Sequence, residues 1–306
     1  MNKMKTKFTK TSVVLIALAI FTLNMSSCKD ELPKIIEEGT TGSLLWKFTD
    51  DGVLIISGIG RMPDYKYDYE LQLTNTPWYS YRDAIKTVVI HNGVISIGNR
   101  AFAGCSYLSS ATIPNSVISI GDYAFSSCIG LTSINIPDSI TSIGVQTFSN
   151  CYKLKEITFP SSIANIGNWA FLNCYTLKRI TLPNSLEIIE NYAFVNCSGL
   201  ENIIIPNNVE SIGTAAFVNC SGLKNVIISN NVKRIGGIAF AGCSGLTEMV
   251  VKAMVPPIID SNIFDFLTVV GSEVNHNISV YVPQESLELY KNAKVWKELN
   301  LQGKVF

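Results

Sequence analysis

The chain is poor in the residues that usually carry chemistry. Its 306 residues include only two histidines, His91 and His276, and neither has a recognisable nucleophile or carboxylate constellation around it. A catalytic histidine needs a group to activate and a partner that orients it, so both read as solvated or capping residues. There is no glycine-rich phosphate loop, no H-E-x-x-H and no nucleophile elbow, the signatures that announce nucleotide, zinc-protease or hydrolase chemistry. No cysteines stand at C-x-x-C spacing, so neither a zinc site nor any other cofactor is expected. An excess of charge is lacking as well: 24 Lys+Arg balance 24 Asp+Glu. Without Lys3, Lys5, Lys7 and Lys10 the remainder is twenty basic against twenty-four acidic residues, a net of about −4. No basic stripe exists, which argues against nucleic acid as a partner. These absences point away from an enzyme.

What is present is a ladder. Cys105, Cys128, Cys151, Cys174, Cys197, Cys220 and Cys243 recur every 23 residues, each three residues after a phenylalanine: Phe102, Phe125, Phe148, Phe171, Phe194, Phe217 and Phe240. A fixed period of this size marks a solenoid, in which one small unit stacks on copies of itself. The unit reads L-x-x-I-x-I-P-x-S-V-x-x-I-G-x-x-A-F-x-x-C-x-x. No single copy can bury its own apolar residues; stacking neighbours bury them as one core. The expected fold is an α/β-type or mainly-β solenoid with a parallel sheet on one face and short helical turns on the other. The L-x-x-I-x-I segment alternates as a strand with one buried face. The Phe and Cys of A-F-x-x-C, three apart, suit one turn of helix facing inward. The residue before each Cys is Gly104, Asn150, Asn173, Asn196, Asn219 or Gly242 in six copies. Glycine and asparagine best tolerate positive φ, which predicts a left-handed cap there; Ser127 does not fit that rule. The glycine at Gly98, Gly121, Gly144, Gly167, Gly213 and Gly236 is replaced by Glu190 in one copy, where a strained or different turn is expected. Seven cysteines is an odd number and disulfide geometry is demanding, so buried free thiols packing as small hydrophobes are expected.

Over residues 83–252 the unit resembles the BspA-like leucine-rich repeats, a bacterial branch with I-P-x-S-V-x-x-I-G-x-x-A-F-x-x-C units. The flanks are similar to that family's caps: Trp46, Leu54 to Gly60 and Pro77-Trp78 on one side, Tyr281-Val282-Pro283, Tyr290 and Trp296 on the other. The resemblance implies a cell-surface or secreted protein used for adhesion and partner contact; the alternatives are a carbohydrate-binding surface protein supporting glycan capture and a purely structural envelope protein.

Four lysines precede an apolar run from Val13 to Leu23, followed by Ser26, Ser27 and Cys28. This reads as a signal peptide, too short to span a bilayer. Met25-Ser26-Ser27-Cys28 resembles a bacterial lipobox, which implies lipid on Cys28, the one cysteine outside the ladder; an ordinary secretory signal is the alternative. Lys29-Asp30-Glu31 resembles a short surface-export signal of Bacteroides relatives. The expected layout is residues 1–28 as lipoprotein signal, 29–42 as tether (Pro33, Gly39 and Gly42), 43–82 as N-terminal cap, 83–252 as repeats and 253–306 as C-terminal cap. The expected location is the outer membrane, lipid-anchored and facing outward, with the anchor as the only membrane contact.

Outward-pointing strand positions vary between copies while the core does not. Ser110, Thr112, Ser133, Asn135, Glu156, Thr158, Arg179, Thr181, Asn202, Ile204, Asn225 and Ile227 form the expected ligand face for a protein partner, a host matrix or other cell-surface protein. A trend toward Ile204, Ile227 and Val250 predicts an exposed apolar strip. Residues 61–82 break the repeat with Tyr65, Tyr67, Tyr69, Trp78, Tyr79 and Tyr81. They are expected to cover the solenoid's open end, with glycan stacking on exposed tyrosines as the alternative. Asp138-Ser139-Ile140 resembles an O-glycosylation motif of Bacteroides relatives, placing Ser139 in a turn expected to be exposed.

Overall fold

Alternation in the L-x-x-I-x-I segment produces a short parallel strand in each coil. Ser133–Asn135 pairs with Glu156–Thr158 so that Ile134 stands opposite Ile157, and Glu156–Thr158 pairs in turn with Arg179–Ile180. The central isoleucine of each strand is buried and its neighbours are exposed, as the two-residue side-chain period requires. The computed structural model describes residues 32–68, 73–260, 263–264 and 278–306. Ile35–Phe306 forms one compact unit.

Two columns of strands run along the solenoid. The first divides into three sheets: Ile35–Thr41 through Ser110–Thr112, Ser133–Asn135 through Arg179–Ile180, and Asn202–Ile205 through Asn300–Lys304. The second column uses two-residue strands from the I-G end of the unit, such as Ser142–Ile143, Asn165–Ile166 and Ile188–Ile189.

The third side is built of turns, and the expected helical turn appears there as overlapping i→i+3 bonds. In one coil Ala124, Ser126 and Cys128 donate to the carbonyls of Gly121, Tyr123 and Phe125. The intervening N–H groups of Tyr123, Phe125 and Ser127 donate forward to Val145, Thr147 and Ser149, at 2.9, 3.0 and 2.7 Å. Among the described residues the one α-helix is Leu287–Asn292, in the C-terminal cap. Two residues per coil are left-handed. Those before the cysteines are so in every copy, and Ser127 (φ 61°) joins them despite its side chain. The second series, Arg100, Tyr123, Gln146, Trp169, Tyr192, Ala215 and Ile238, has φ between 51 and 61°. Each occupies the third position of a turn, where a type II geometry demands positive φ. Glu190 does not divert its coil. Its N–H donates to Ile166 at 2.9 Å as Gly213 donates to Ile189 at 2.8 Å, and Tyr192 keeps φ 61°. The turn's φ > 0 lies two residues later, so this position needs no left-handed backbone; the matching glycines serve close coil-to-coil approach instead, a Cβ at Gly213 standing 2.5 Å from Asn191 N.

The core is a stack. All seven ladder phenylalanines are buried, and Phe171, Phe194, Phe217 and Phe240 lie nearly parallel at 5.1 to 5.3 Å. The seven cysteines are buried free thiols. From Cys128 onward each donates to the carbonyl of the phenylalanine 26 residues earlier, at 3.2 to 3.3 Å.

Aromatic residues close both ends. Trp78 extends the phenylalanine stack onto Phe102 at 5.9 Å, with Trp46 and Tyr65 edge-on against it. At the other end Tyr290 and Trp296 pack edge to face and donate to the Ala253 and Pro257 carbonyls. The cap begins earlier than expected: Ile35–Thr41, within the stretch read as tether, is a strand paired antiparallel with Leu44–Thr49. Gly39 suggested a linker, but it makes room for an aromatic ring; a Cβ there would stand 2.9 Å from Trp46 Nε1.

Candidate functional site

The strand register brings the expected ligand face together. Ser110, Thr112, Ser133, Asn135, Glu156, Thr158, Arg179, Thr181, Asn202, Ile204 and Asn225 are exposed on one side of the first strand column, and Ile227 is half-buried. Asn225 donates its amide to Asn202 Oδ1 at 2.8 Å across neighbouring strands. The apolar strip is shorter than expected. Ile204 is 60% exposed, but Val250 is only 5% exposed, because its strand pairs with Ser279–Pro283 and sets Tyr281 beside it. Lys304 lies over the Tyr281 ring at 4.9 Å, so the C-terminal cap covers the end of the strip.

Between Arg179–Ile180 and Asn202–Ile205 the strand pairing stops, and one sheet ends where the next begins. The Glu201 N–H reaches the Lys178 carbonyl at 3.5 Å, against 2.8 Å for the matching Lys224–Glu201 bond one coil later. A groove of about 600 Å³ lies at this junction, lined by Lys178, Arg179, Thr181, Asn184, Glu201, Asn202, Ile204, Pro206 and Asn207 among others. Four of the sequence-derived face residues therefore converge in one concavity. Lys178, Arg179 and Glu201 are exposed, and none has an ion-pair partner among the described residues. Unpaired charges beside an exposed isoleucine suit a polar, charge-complementary surface with an apolar anchor. Sequence reasoning missed Lys178 and Glu201. The signal was available in the charged column Lys155, Lys178, Glu201 and Lys224, one residue after each repeat leucine.

The second strand column carries a recess of about 640 Å³ lined by Glu187, Ile188, Glu210, Lys233 and Arg234 among others. Its charges are largely committed: Lys233 pairs with Glu210 at 2.8 Å and Arg234 with Asp260 at 2.9 Å.

Ser139 is half-buried, and its hydroxyl donates to the Val117 carbonyl at 2.6 Å. Ser162 and Ser185 make the same bond one and two coils later, so coil-to-coil bonding accounts for serine at this position. Of the cap aromatics, Tyr65 and Trp78 are buried, while Tyr67, Tyr79 and Tyr81 are partly exposed. His91 is exposed just after the strand Thr87–Ile90. Cys28, the Lys29-Asp30-Glu31 stretch, Tyr69 and His276 lie outside the described residues.

Burial pushes the thiols up: Cys105 and Cys151 to about 12, and Cys128, Cys197 and Cys220 well above their ordinary value. A nucleophilic or metal-binding cysteine needs an accessible thiolate, and this environment opposes one. Among the described residues no cluster of His, Cys, Asp and Glu could hold a metal ion.

Residues 75–200 and 143–270 match the family model of the BspA type leucine rich repeat region. The chain belongs to the BspA-type leucine-rich repeat family. This is a repeat family of bacterial surface-type proteins, which suggests a protein-interaction module, and its members are typically non-catalytic binding or structural scaffolds. The chain is similar to several solved structures. A leucine-rich repeat protein from Eubacterium ventriosum is 22% identical, with 87% of this chain and 83% of that chain covered and a TM-score of 0.44. A leucine rich cell surface protein from Faecalibacterium prausnitzii is 21% identical, with 87% and 94% covered and a TM-score of 0.48. A leucine-rich repeat protein from Bacteroides ovatus is 22% identical, with 82% and 80% covered and a TM-score of 0.28. No curated protein matches this chain.

Proposed function

We propose that this BspA-type protein is a non-enzymatic adhesion module, lipid-anchored through Cys28 to the outer membrane and facing outward. It captures a partner protein, such as a host matrix or other cell-surface protein, on the first strand column. The groove between Arg179–Ile180 and Asn202–Ile205 carries this reading. Outward strand positions line this groove, and its charges have no ion-pair partners among the described residues. Such a site gains on-rate and specificity from charge complementarity, with the exposed Ile204 as an apolar anchor that a partner would bury.

Two experiments test the two halves. Growth with labelled palmitate should label the wild type and spare Cys28→Ala, and protease added to intact cells should digest the repeats. Equal labelling, or protection until lysis, would remove the anchor or the outward orientation. Immobilised matrix proteins should retain the wild-type chain and lose the Arg179→Glu, Ile204→Asp double variant. Equal retention of both would move the binding surface elsewhere.

A further inference from the structure

The geometry points to a second binding site, at the junction of the N-terminal cap and the first repeats, for a carboxylate-bearing sugar residue. It is separate from the sheet face and does not depend on it. A cavity of about 370 Å³ lies there, lined among others by Tyr67, Tyr79, Arg82, Arg100, Tyr123 and Ser126. That volume falls at the small end of ligand-sized pockets, a scale suited to one or two sugar rings.

Its two guanidinium groups are held in place by aromatic faces. The Arg82 guanidinium lies 4.3 Å over the Tyr79 ring, and that of Arg100 lies 4.3 Å over the Tyr123 ring. Stacking fixes a guanidinium through its face and leaves its in-plane N–H groups available as donors; Arg82 already uses one on the Tyr79 carbonyl at 3.4 Å, whereas no hydrogen bond engages those of Arg100 among the described residues. Those donors match a carboxylate in a bidentate fork. Arg82 is partly neutralised by Asp83 at 3.2 Å. Arg100 has no carboxylate partner among the described residues, so the pocket keeps an unmatched positive charge. Tyrosine rings and the Ser126 hydroxyl, which also bonds Ser149 Oγ at 2.8 Å, add apolar edges and a hydrogen-bonding group for a ring that bears hydroxyls. Arg100 and Tyr123 occupy equivalent places in successive coils, both with left-handed backbone. Their contact is therefore set by the repeat itself. Gln146 takes the same place one coil later, so an arginine is not demanded by the turn.

Calorimetric titration of the full chain in detergent tests the assignment. The probes are glucuronic acid and N-acetylneuraminic acid, with glucose as the neutral counterpart and acetate as a bare carboxylate. The acidic sugars should bind at least about tenfold more tightly than glucose or acetate, the discrimination expected from one good charge-assisted contact. Arg100→Gln, which installs the residue the next coil but one already carries, should weaken that binding about tenfold or more, and Arg82→Gln should weaken it as well. Ile204→Asp on the sheet face should leave it unchanged. Glucose binding as tightly as glucuronic acid would overturn the proposal. So would acetate binding as tightly as the acidic sugars, or both arginine variants binding as the wild type does. Circular dichroism matching the wild type assures that each variant is folded.

Discussion

Asn196 donates its side-chain amide to Asn173 Oδ1 at 2.7 Å, one coil back. Asn173 in turn donates to Asn150 Oδ1 at 2.7 Å, and Asn219 to Asn196 Oδ1 at 2.9 Å. A ladder of amides thus runs along the turn side of four coils. Every member is also left-handed, with φ between 58 and 62°. Asparagine therefore does two separable things at this position. Asn173→Gly should lose only the ladder bonds, about 0.5–1.5 kcal/mol each, together with the entropy of a freer unfolded chain. Asn173→Ala should lose the bonds and add about 1–2 kcal/mol for forcing a Cβ into the left-handed region. Urea unfolding should rank wild type above Asn173→Gly above Asn173→Ala. Alanine as stable as glycine would mean that the left-handed backbone is not what selects the residue.

Phe171 stacks between Phe148 at 5.5 Å and Phe194 at 5.2 Å, with Phe159 edge-on at 5.9 Å. Phe171→Ala removes contacts to both neighbouring coils and leaves a cavity that backbone-bonded coils cannot close. The cost should be about 3–5 kcal/mol, falling on two interfaces at once. Thr158→Ala, on the exposed side of its strand, should stay within about 0.5 kcal/mol. Denaturant midpoints check the pair. Comparable losses would reverse the in/out phase of the strand and take the proposed binding face with it.

The thiol ladder should make the fold sensitive to alkali. Cys105, Cys128, Cys151, Cys174, Cys197 and Cys220 all have thiols raised by burial above the ordinary 9.0, and Tyr65 and Tyr290 are raised by burial as well. Above pH 9 the unfolded chain releases protons that the folded chain retains. Stability is thus fully present below about pH 9 and declines as pH rises toward about 12. Thermal unfolding across that window should show a falling Tm, and iodoacetamide at neutral pH should reach the ladder thiols only after denaturation. A flat Tm between pH 9 and 11, or rapid labelling of the native chain, would contradict the burial of the ladder.

Positions where one side chain is required by packing were legible in the sequence. The Phe and Cys columns and the buried isoleucines appear where their period placed them, and the outward strand positions are exposed apart from the half-buried Ile227 and the buried Val250. The second left-handed series was not legible, because Trp169 (φ 53°) and Tyr192 (φ 61°) are residues that normally avoid that region. They are held there by N–H bonds to the next coil, at 3.2 and 2.9 Å, and by stacking on each other at 5.0 Å. Neither constraint is visible without the neighbouring coil. The groove was half legible. Arg179, Thr181, Asn202 and Ile204 came from the strand pattern, but the groove and the interruption of pairing beside it are properties of two coils together. Likewise Val250 follows the apolar trend of its column, yet the cap strand that buries it comes from nearly thirty residues later in the chain.

The ends of the solenoid should decide where unfolding begins. Trp78 is buried, stacks on Phe102, and donates its indole N–H to the Ala101 carbonyl at 2.9 Å. Trp296 plays the matching part at the other end, donating to the Pro257 carbonyl at 2.7 Å. Each coil touches only its neighbours, so a damaged cap exposes the first coil and the loss spreads inward with distance. Trp78→Ala should cost about 3–5 kcal/mol locally and raise amide exchange most in the coils around Phe102 and Phe125. Protection around Phe217 and Phe240 should persist. Trp296→Ala should give the mirror image, with the coils nearest Ile259 opening first. Hydrogen exchange read by mass spectrometry resolves the two gradients. Uniform loss of protection in either variant would mean that the whole stack melts as one unit. The caps would then contribute to a single cooperative core rather than guarding its two ends.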